Sequence, residues 1–501
     1  MAGTFAARAS TAWQRGLLWL ETLEADPDRG RRALIAAWAI TRAILFAGLL
    51  IARAYCDPEF YHYAGQLAAG HLPYRDFSVE YPPLAMVLLL LPALPLLPLG
   101  PLAPQPDPDF SGVLTTLPAP DPLRYGAYGV SFAVMILALD ALTLWLVTRT
   151  ARRIGGPGLT PLRAGLLYVI LIFTSGALLQ KFDLAAGTLC LAAILALAYN
   201  RNDLAWGAVA LATLVKGFPV LLLPILFGYY LCRPRPVSLL EAVRRRKDML
   251  IEGAVTFGVV VLGVTLLVVL LAGVQPVANT ILYHADRGTE MESVYANLMM
   301  LLGWVPHLGV YTAFNSGDLS AVIQSPLDAW TAPIAMVALA AALALTYVAV
   351  WRAIRQARGA SQPKPASGRI VVAGAAAVLL AFEVSFRALP AHYLLAVIPL
   401  AAVVRLPQPR LQARWVWGLL LTTIFGQGVV AVWPALLLLR PWAVLILTAR
   451  NAAWIVAFVT LVLALWRWPR YETSGPRSGA GGRDTGVPRD QQLTRTPAPA
   501  R

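Results

Sequence analysis

Apolar stretches, each close to the length of a membrane crossing, recur along almost the whole chain. A helix needs about 20 mostly apolar residues to cross ~30 Å of hydrocarbon. Segments of this kind occupy 33–54, 84–99, 125–148, 164–180, 183–199, 204–231, 251–273, 294–313, 329–350, 369–388, 390–404, 415–439 and 441–466. Of the 501 residues, 58% are hydrophobic and only 13% charged, about half the ~25% of an ordinary globular chain. So little polar surface cannot coat a soluble fold, which excludes secreted miniproteins, disordered polymers and cytosolic enzymes. A polytopic, all-α membrane protein is left. Segment 33–54 does not read as a cleavable signal, because a polar amphipathic stretch, 1–32, precedes it and no small-residue cleavage site follows. Cys56, Cys190 and Cys232 have neither a disulfide pattern nor metal-ligand spacing.

Charge sorts the connecting loops. The net charge of +15 suggests nucleic acid only until its basic residues are located. Arg149, Arg152, Arg153 and Arg163 form one acid-free loop. Arg233, Arg235 and Arg244 to Lys247 fill a second, Arg352, Arg355, Arg358, Lys364 and Arg369 a third, and Arg405, Arg410 and Arg414 a fourth. The positive-inside rule places these loops in the cytoplasm, against anionic membrane lipids and without a nucleic-acid partner. Residues 55–124 instead carry Asp57, Glu59, Asp76, Glu80, Asp107, Asp109 and Asp121 against Arg75 and Arg124. Residues 274–328 carry Asp286, Glu290, Glu292, Asp318 and Asp328 against Arg287. Both are expected outside.

Parity then removes two crossings. Segment 84–99, broken by Pro92, Pro95 and Pro98, reads as an interfacial or re-entrant helix, and 294–313 joins two segments on the same side. Segment 204–231 is expected to fold back at Lys216-Gly-Phe-Pro219. The expected architecture has about twelve spans over 33–466 and both termini in the cytoplasm. External loops lie at 55–124 and 274–328, and a disordered basic tail covers 467–501.

Ionisable groups at the edges of apolar segments are costly to keep and usually mark a pathway or a site. On this topology Asp57, Lys181, Asp183, Lys216, His284, Arg287, Glu292, Arg387 and His392 gather at one depth on the outer side. They describe a polar pocket suited to anion recognition. No nucleotide cradle or Asp-x-Asp pair stands in the inner loops, and no ligand cluster argues for a metal; no cofactor is expected. Simpler roles compete at each position. Asp57 before Pro58 is a natural helix cap, Asp76 and Glu80 are natural loop charges, Lys181/Asp183 and Arg287/Glu292 can be interfacial ion pairs, and Lys216 can snorkel to headgroups.

The first outer loop reads Tyr55-Cys-Asp57-Pro-Glu-Phe-Tyr61, then Gly70, Pro73-Tyr74-Arg-Asp76 and Glu80-Tyr81-Pro82-Pro83. It resembles the first external loop of GT-C integral-membrane glycosyltransferases, and within them glycosyltransferase family 87, which uses polyprenyl-phosphate mannose or a related lipid-phosphate sugar. Asp57, Tyr61, Gly70, Pro73-Tyr74 and Tyr81-Pro82-Pro83 match that family's pattern. Lys181-Phe-Asp183 and Lys216-Gly-Phe-Pro219 resemble its later polar turns, and His284-Ala-Asp-Arg287-Gly-Thr-Glu-Met-Glu292-Ser293 its Arg-Gly-x-x-x-Glu-Ser stretch. Arg387 and Pro390-Ala-His392-Tyr393 depart from the Lys and Ser-Pro-Gln-Tyr that the family often carries, over a likeness running from about 33 to 405.

The resemblance implies a GT-C fold whose long first loop holds interfacial helices. It also implies a polyprenyl-phosphate sugar donor and an acceptor that is a glycolipid, polysaccharide or protein. Asp57 would be the general base, since a sugar hydroxyl attacks well only as its proton is removed. Lys216, Arg287 and Arg387 would neutralise the departing phosphate. Tyr61, Tyr74, Asp76, Glu80, Tyr81, Lys181, Asp183, His284, Glu292, His392 and Tyr393 would line the site. Glu80 is either a second carboxylate candidate or a partner orienting a cation. A single displacement at the outer face of the plasma membrane would invert the anomeric carbon. A transporter or lipid flippase is the rival reading, supported by broken helices but not by any internal repeat. A noncatalytic scaffold is the third.

Overall fold

The computed structural model describes residues 18–100, 102, 122–155, 158–231, 239–286, 288–305, 308–314, 321–357 and 364–468. Most of the N-terminal segment, Arg287 and the basic tail beyond Trp468 lie outside the described residues, as does the side chain of His284.

The chain is a mostly helical, multi-pass membrane protein. Among the described residues six helices are long and apolar enough to cross a membrane by length and composition: Pro27–Ala52, Pro122–Ile154, Arg246–Ala272, Asp328–Gln356, Gly368–Ser385 and Pro441–Arg467. Shorter apolar helices accompany them, among them Pro161–Ser175, Asp183–Ala198 and Asn202–Val215. The all-helical expectation needs one correction. The second long loop carries an antiparallel hairpin, Tyr311–Phe314 on Ala321–Gln324, with Thr312 facing Ile323. β-Branched Thr312, Val322 and Ile323 suit a pleated ladder better than a helix. Just before it, helix Val294–Leu302 has nine residues, about 14 Å of rise and far less than a crossing. Segment 84–99 is α-helical only over Pro83–Leu90 and continues as a 3-10 helix over Leu91–Leu99, because its prolines cannot donate to an α-helical ladder.

We call Pro27–Ala52 α1, Pro58–Ala68 α2, Pro83–Leu90 α3, Pro122–Ile154 α4, Pro161–Ser175 α5, Asp183–Ala198 α6 and Asn202–Val215 α7. Helix α1 begins where the Asp26 carboxylate accepts from the backbone N–H groups of Asp28 and Arg29, at 3.1 and 3.0 Å, and Pro27 supplies a preformed first turn. Helix α5 ends at Gly176, whose φ of +64° is one a side chain disfavours. The turn that follows leads to Lys181. Helix α7 stops at Val215, and the chain reverses through Lys216 and Gly217, so that the Tyr230 hydroxyl returns to the Asn202 side chain at 2.8 Å.

The interior is built on two segments without a polar face. Residues 370–381 and 394–404 are buried throughout, as an all-round apolar helix requires. Peripheral helices turn large apolar side chains outward instead, among them Val259, Leu262, Leu266, Met336 and Val337, as lipid contact demands. A buried ion pair ties α1 to α4 within this bundle. Arg42 on α1 donates from Nε and Nη2 to the two carboxylate oxygens of Asp140 on α4, at 2.8 and 3.0 Å. Trp38 Nε1 and the Tyr168 hydroxyl of α5 each donate to the same carboxylate at 2.5 Å. Arg42 Nη1 donates to the Val169 carbonyl at 3.1 Å.

Breaking this pair from one side leaves an uncompensated buried charge. Asp140→Leu is expected to cost about 3–5 kcal/mol, read as a lower Tm of the detergent-solubilised protein. Combining it with Arg42→Leu should recover most of the loss. A double variant no more stable than Asp140→Leu would show that the charge is not what the fold guards against.

Candidate functional site

The charged residues at helix ends gather at two ends of the bundle, with the Arg42–Asp140 pair between them. Helices α4 and α6 run between them. At one end Arg153 donates to the Ala198 carbonyl at 3.1 Å and lies 4.9 Å from the Tyr199 ring. There too Arg163 pairs with Glu24 at 2.7 Å, and Arg405 lies against Gly158 within electrostatic reach of Arg163 and Arg369. At the other end, where α1 gives way to α2, four chain segments bring acids, lysines and aromatic rings together.

Asp57 occupies the N-cap position of α2, yet its side chain caps nothing. Its carboxylate is ion-paired with Lys181 Nζ. Lys181 follows the short 3-10 turn Leu178–Gln180 in extended conformation, and the Gln180 side chain secures that turn by donating to the Ala54 carbonyl at 2.8 Å. The Lys181 ammonium stands 5.8 Å from the centre of the Phe60 ring. Burial works against that ammonium, but Asp57 first and then Asp183 outweigh it and hold Lys181 above its ordinary value.

Lys216 enters from the α7 reversal. Its ammonium lies 3.1 Å from Asp183 Oδ1 at the start of α6. Three rings surround it, Tyr81 and Phe182 at 5.0 Å and Tyr393 at 5.1 Å. Each ring face attracts the cation, so one lysine joins the first loop, the α5–α6 turn and the segment before Leu394. Tyr81 is held in turn by Tyr74, whose hydroxyl donates to the Tyr81 carbonyl at 2.6 Å. Beside it, the Glu59 carboxylate accepts from the Tyr63 hydroxyl. Burial, then the charge of Glu80, push Glu59 up to about 8. The Tyr81 phenol is raised by burial and the same two carboxylates.

Glu292 belongs to a second cluster on the same side. Its Oε2 accepts from the Ala391 backbone N–H at 3.0 Å and lies 3.4 Å from Arg450 Nη1. Arg450, fully buried, also donates to the Leu389 carbonyl at 2.7 Å and to the Glu292 carbonyl. Lys181 is within electrostatic reach of Glu292, which links the two clusters. The Arg387 carbonyl accepts from the Glu290 N–H at 3.0 Å, and the His392 ring stands edge-on to Tyr393 at 5.2 Å.

Thus Asp57, Glu80, Tyr81, Lys181, Asp183, Lys216 and Tyr393 come together, with Glu292, Arg387 and His392 adjoining. Two other sequence candidates sit apart. Tyr61 is a core ring, edge-on to Tyr125 and Tyr128 at 5.8 and 5.5 Å. Asp76 is exposed, staples its own turn by accepting from the Leu72 N–H at 2.7 Å, and is drawn down to about 2 by Arg75. Arg287 lies outside the described residues. Sequence reasoning missed Glu59, Phe182, Arg450 and Glu383, the last a fully buried carboxyl within electrostatic reach of Asp183. Arg450 and Glu383 carried a signal: each is a lone charge within an apolar run, where an ion persists only with a partner. The arrangement provides a carboxylate able to take a proton and cations able to meet an anion.

Glu59 gives this end a pH signature. Its ordinary value is 4.5, raised to about 8 in the fold, so the folded chain keeps a proton that the unfolded chain releases. The resulting stability is complete below about 4.5 and is lost as pH rises through about 8. The Tm of the wild type should therefore fall between about pH 5 and about pH 9. Glu59→Gln, neutral throughout, should flatten that slope. An unchanged slope would assign the titration to another group.

No protein-family model matches the chain, and no curated protein matches it. Among solved structures it is similar to the crystal structure of ArnT from Cupriavidus metallidurans bound to undecaprenyl phosphate. The two share 13% identity at a TM-score of 0.40, over 90% of this chain and 78% of that one.

Proposed function

We propose that this protein is an inverting membrane glycosyltransferase that moves a hexose, mannose first among the candidates, from a polyprenyl-phosphate sugar to an acceptor hydroxyl. The observation that carries the reading is Asp57. It stands where a helix cap belongs and caps nothing; its carboxylate instead faces a lysine from a turn 124 residues along the chain. Around that pair stand Tyr81, Lys216 and Asp183, residues of the motifs that resemble the GT-C family.

In this reaction the acceptor oxygen forms a bond to the anomeric carbon as its proton passes to Asp57. The bond from that carbon to the phosphate oxygen breaks on the opposite face, and its electron pair leaves on the phosphate. The phosphate is already a competent leaving group and needs charge neutralisation more than a proton, and Lys181 is the cation nearest the base. Lys216, caged and paired, serves to hold the segments that line the site. The arginine-rich end of the bundle faces the cytoplasm under the positive-inside rule, which puts Asp57 at the outer face. The acceptor is a glycolipid, polysaccharide or protein.

The test compares wild type and Asp57→Asn in membranes supplied with radiolabelled polyprenyl-phosphate mannose and a native lipid extract, with folding checked by gel filtration. Transfer by the wild type should fall at least ~10²-fold in the variant. Equal transfer by both would remove Asp57 from the chemistry and promote Glu80. No transfer by either, with mannose or a panel of other lipid-linked sugars, would overturn the reading.

A further inference from the structure

We infer that the Asp57–Lys181 ion pair is an exchangeable latch: an anionic lipid phosphate takes Lys181 from Asp57, and only then is the carboxylate released to act as a base. The inference rests on the function proposed above and adds an order of events to it.

Among the described residues three cation–carboxylate pairs tie distant segments together at this end of the bundle, and their surroundings differ. Arg450 is buried, and besides Glu292 it bonds two backbone carbonyls. Moving it would strand those acceptors and the charge itself. Lys216 and Asp183 have side chains only 12% and 1% exposed, with three rings around the ammonium. Lys181 and Asp57 are 21% and 35% exposed, and one ring stands 5.8 Å from the ammonium. A pair partly open to water is separated more cheaply than a buried one, since water and salt compensate part of the loss. It is therefore the pair that an incoming anion can open at least cost.

Opening it has chemical consequences. An ammonium bonded to Asp57 Oδ2 occupies one of the two carboxylate oxygens and offsets the charge that would draw the acceptor's proton, so the resting pair holds back the base. A sugar phosphodiester carries one negative charge and replaces Asp57 on Lys181 one for one. After transfer, Asp57 holds the acceptor's proton and the lipid phosphate has gained a second negative charge. Lys181 then has no reason to return until Asp57 loses that proton to water. Proton release would thus precede departure of the lipid phosphate, and an acceptor arriving first would meet a neutralised base.

Binding measurements test the exchange without requiring transfer. The full-length wild type, Asp57→Asn, Lys181→Gln and the double variant would be titrated in detergent with farnesyl phosphate, inorganic phosphate and farnesol, and the dissociation constants followed by calorimetry. Removing the competing carboxylate should tighten farnesyl phosphate by about threefold to tenfold, and Lys181→Gln should weaken it. In the Lys181→Gln background the Asp57→Asn change should have no effect, because nothing remains to compete for. Farnesol should be indifferent to all three. The same pattern with inorganic phosphate would make any phosphate the key, whereas its restriction to farnesyl phosphate would make the key a lipid; either supports the exchange. Tightening that persists without Lys181 would reduce the effect to general electrostatics and overturn it, as would weaker binding in Asp57→Asn or no phosphate binding by any variant. Lys181→Arg keeps the charge and must keep the tightening, so the test survives if Lys181→Gln does not fold. A latch that fails this cycle leaves transfer by the wild type untouched, and a cycle that passes establishes the exchange of Lys181 whichever lipid-linked sugar is transferred.

Discussion

A charged carboxylate inside an apolar bundle is costly unless it is paired and hydrogen-bonded, and Asp140 is held by Arg42, Trp38 and Tyr168. The bonds come from α1 and α5 and converge on α4, so three helices are fixed in one register. Helix α1 continues for ten residues beyond Arg42, about 15 Å, and then delivers Asp57. Helix α5 delivers Lys181 through Gly176 and the short 3-10 turn. The pair at the far end can be a modest one because the pair within the bundle has already brought its two strands of chain together.

The same logic extends around the site. Arg450 ties helix Pro441–Arg467 to both Glu292 and the carbonyl of Leu389, and so joins the second loop to the chain ahead of the segment beginning at Leu394. Lys216 ties the α7 reversal to the start of α6 and to rings from three segments. Both are buried or nearly so, where breaking one partner costs far more than at a surface. Cations of this kind give a polar site built from loops the rigidity that loops lack on their own.

Much of this was legible in the sequence because bilayer physics acts on segments. Runs of apolar residues, prolines at 92, 95 and 98, and the Lys216-Gly-Phe-Pro219 break are local signals, and the helices stop or turn where those residues stand. The gathering of Asp57, Lys181, Asp183 and Lys216 was legible for the same reason, since segment ends on one side share a depth. What escaped were single charges within apolar runs. Arg42, Asp140, Glu383 and Arg450 vanish when hydrophobicity is averaged over a crossing, and their partners lie 98 to 158 residues away in the pairs Arg42–Asp140 and Arg450–Glu292. The β-hairpin at 311–324 escaped because a short apolar run reads alike as helix or strand. Asp76 and Asp57 look equivalent as loop acids, yet a neighbouring Arg75 occupies the first and a distant Lys181 the second.

Lys181 and Lys216 make the same point more sharply. In the sequence they are near equals, each a lysine one or two residues ahead of a phenylalanine at an apolar edge. Folding gives Lys216 three rings and a nearly inaccessible carboxylate, and leaves Lys181 with a partly solvated partner. A cation enclosed by rings and a buried carboxylate anchors structure; a cation whose bonded partner is partly open to water remains available to a ligand. The division of labour between two chemically identical side chains is therefore set by how many other contacts each must give up in order to move.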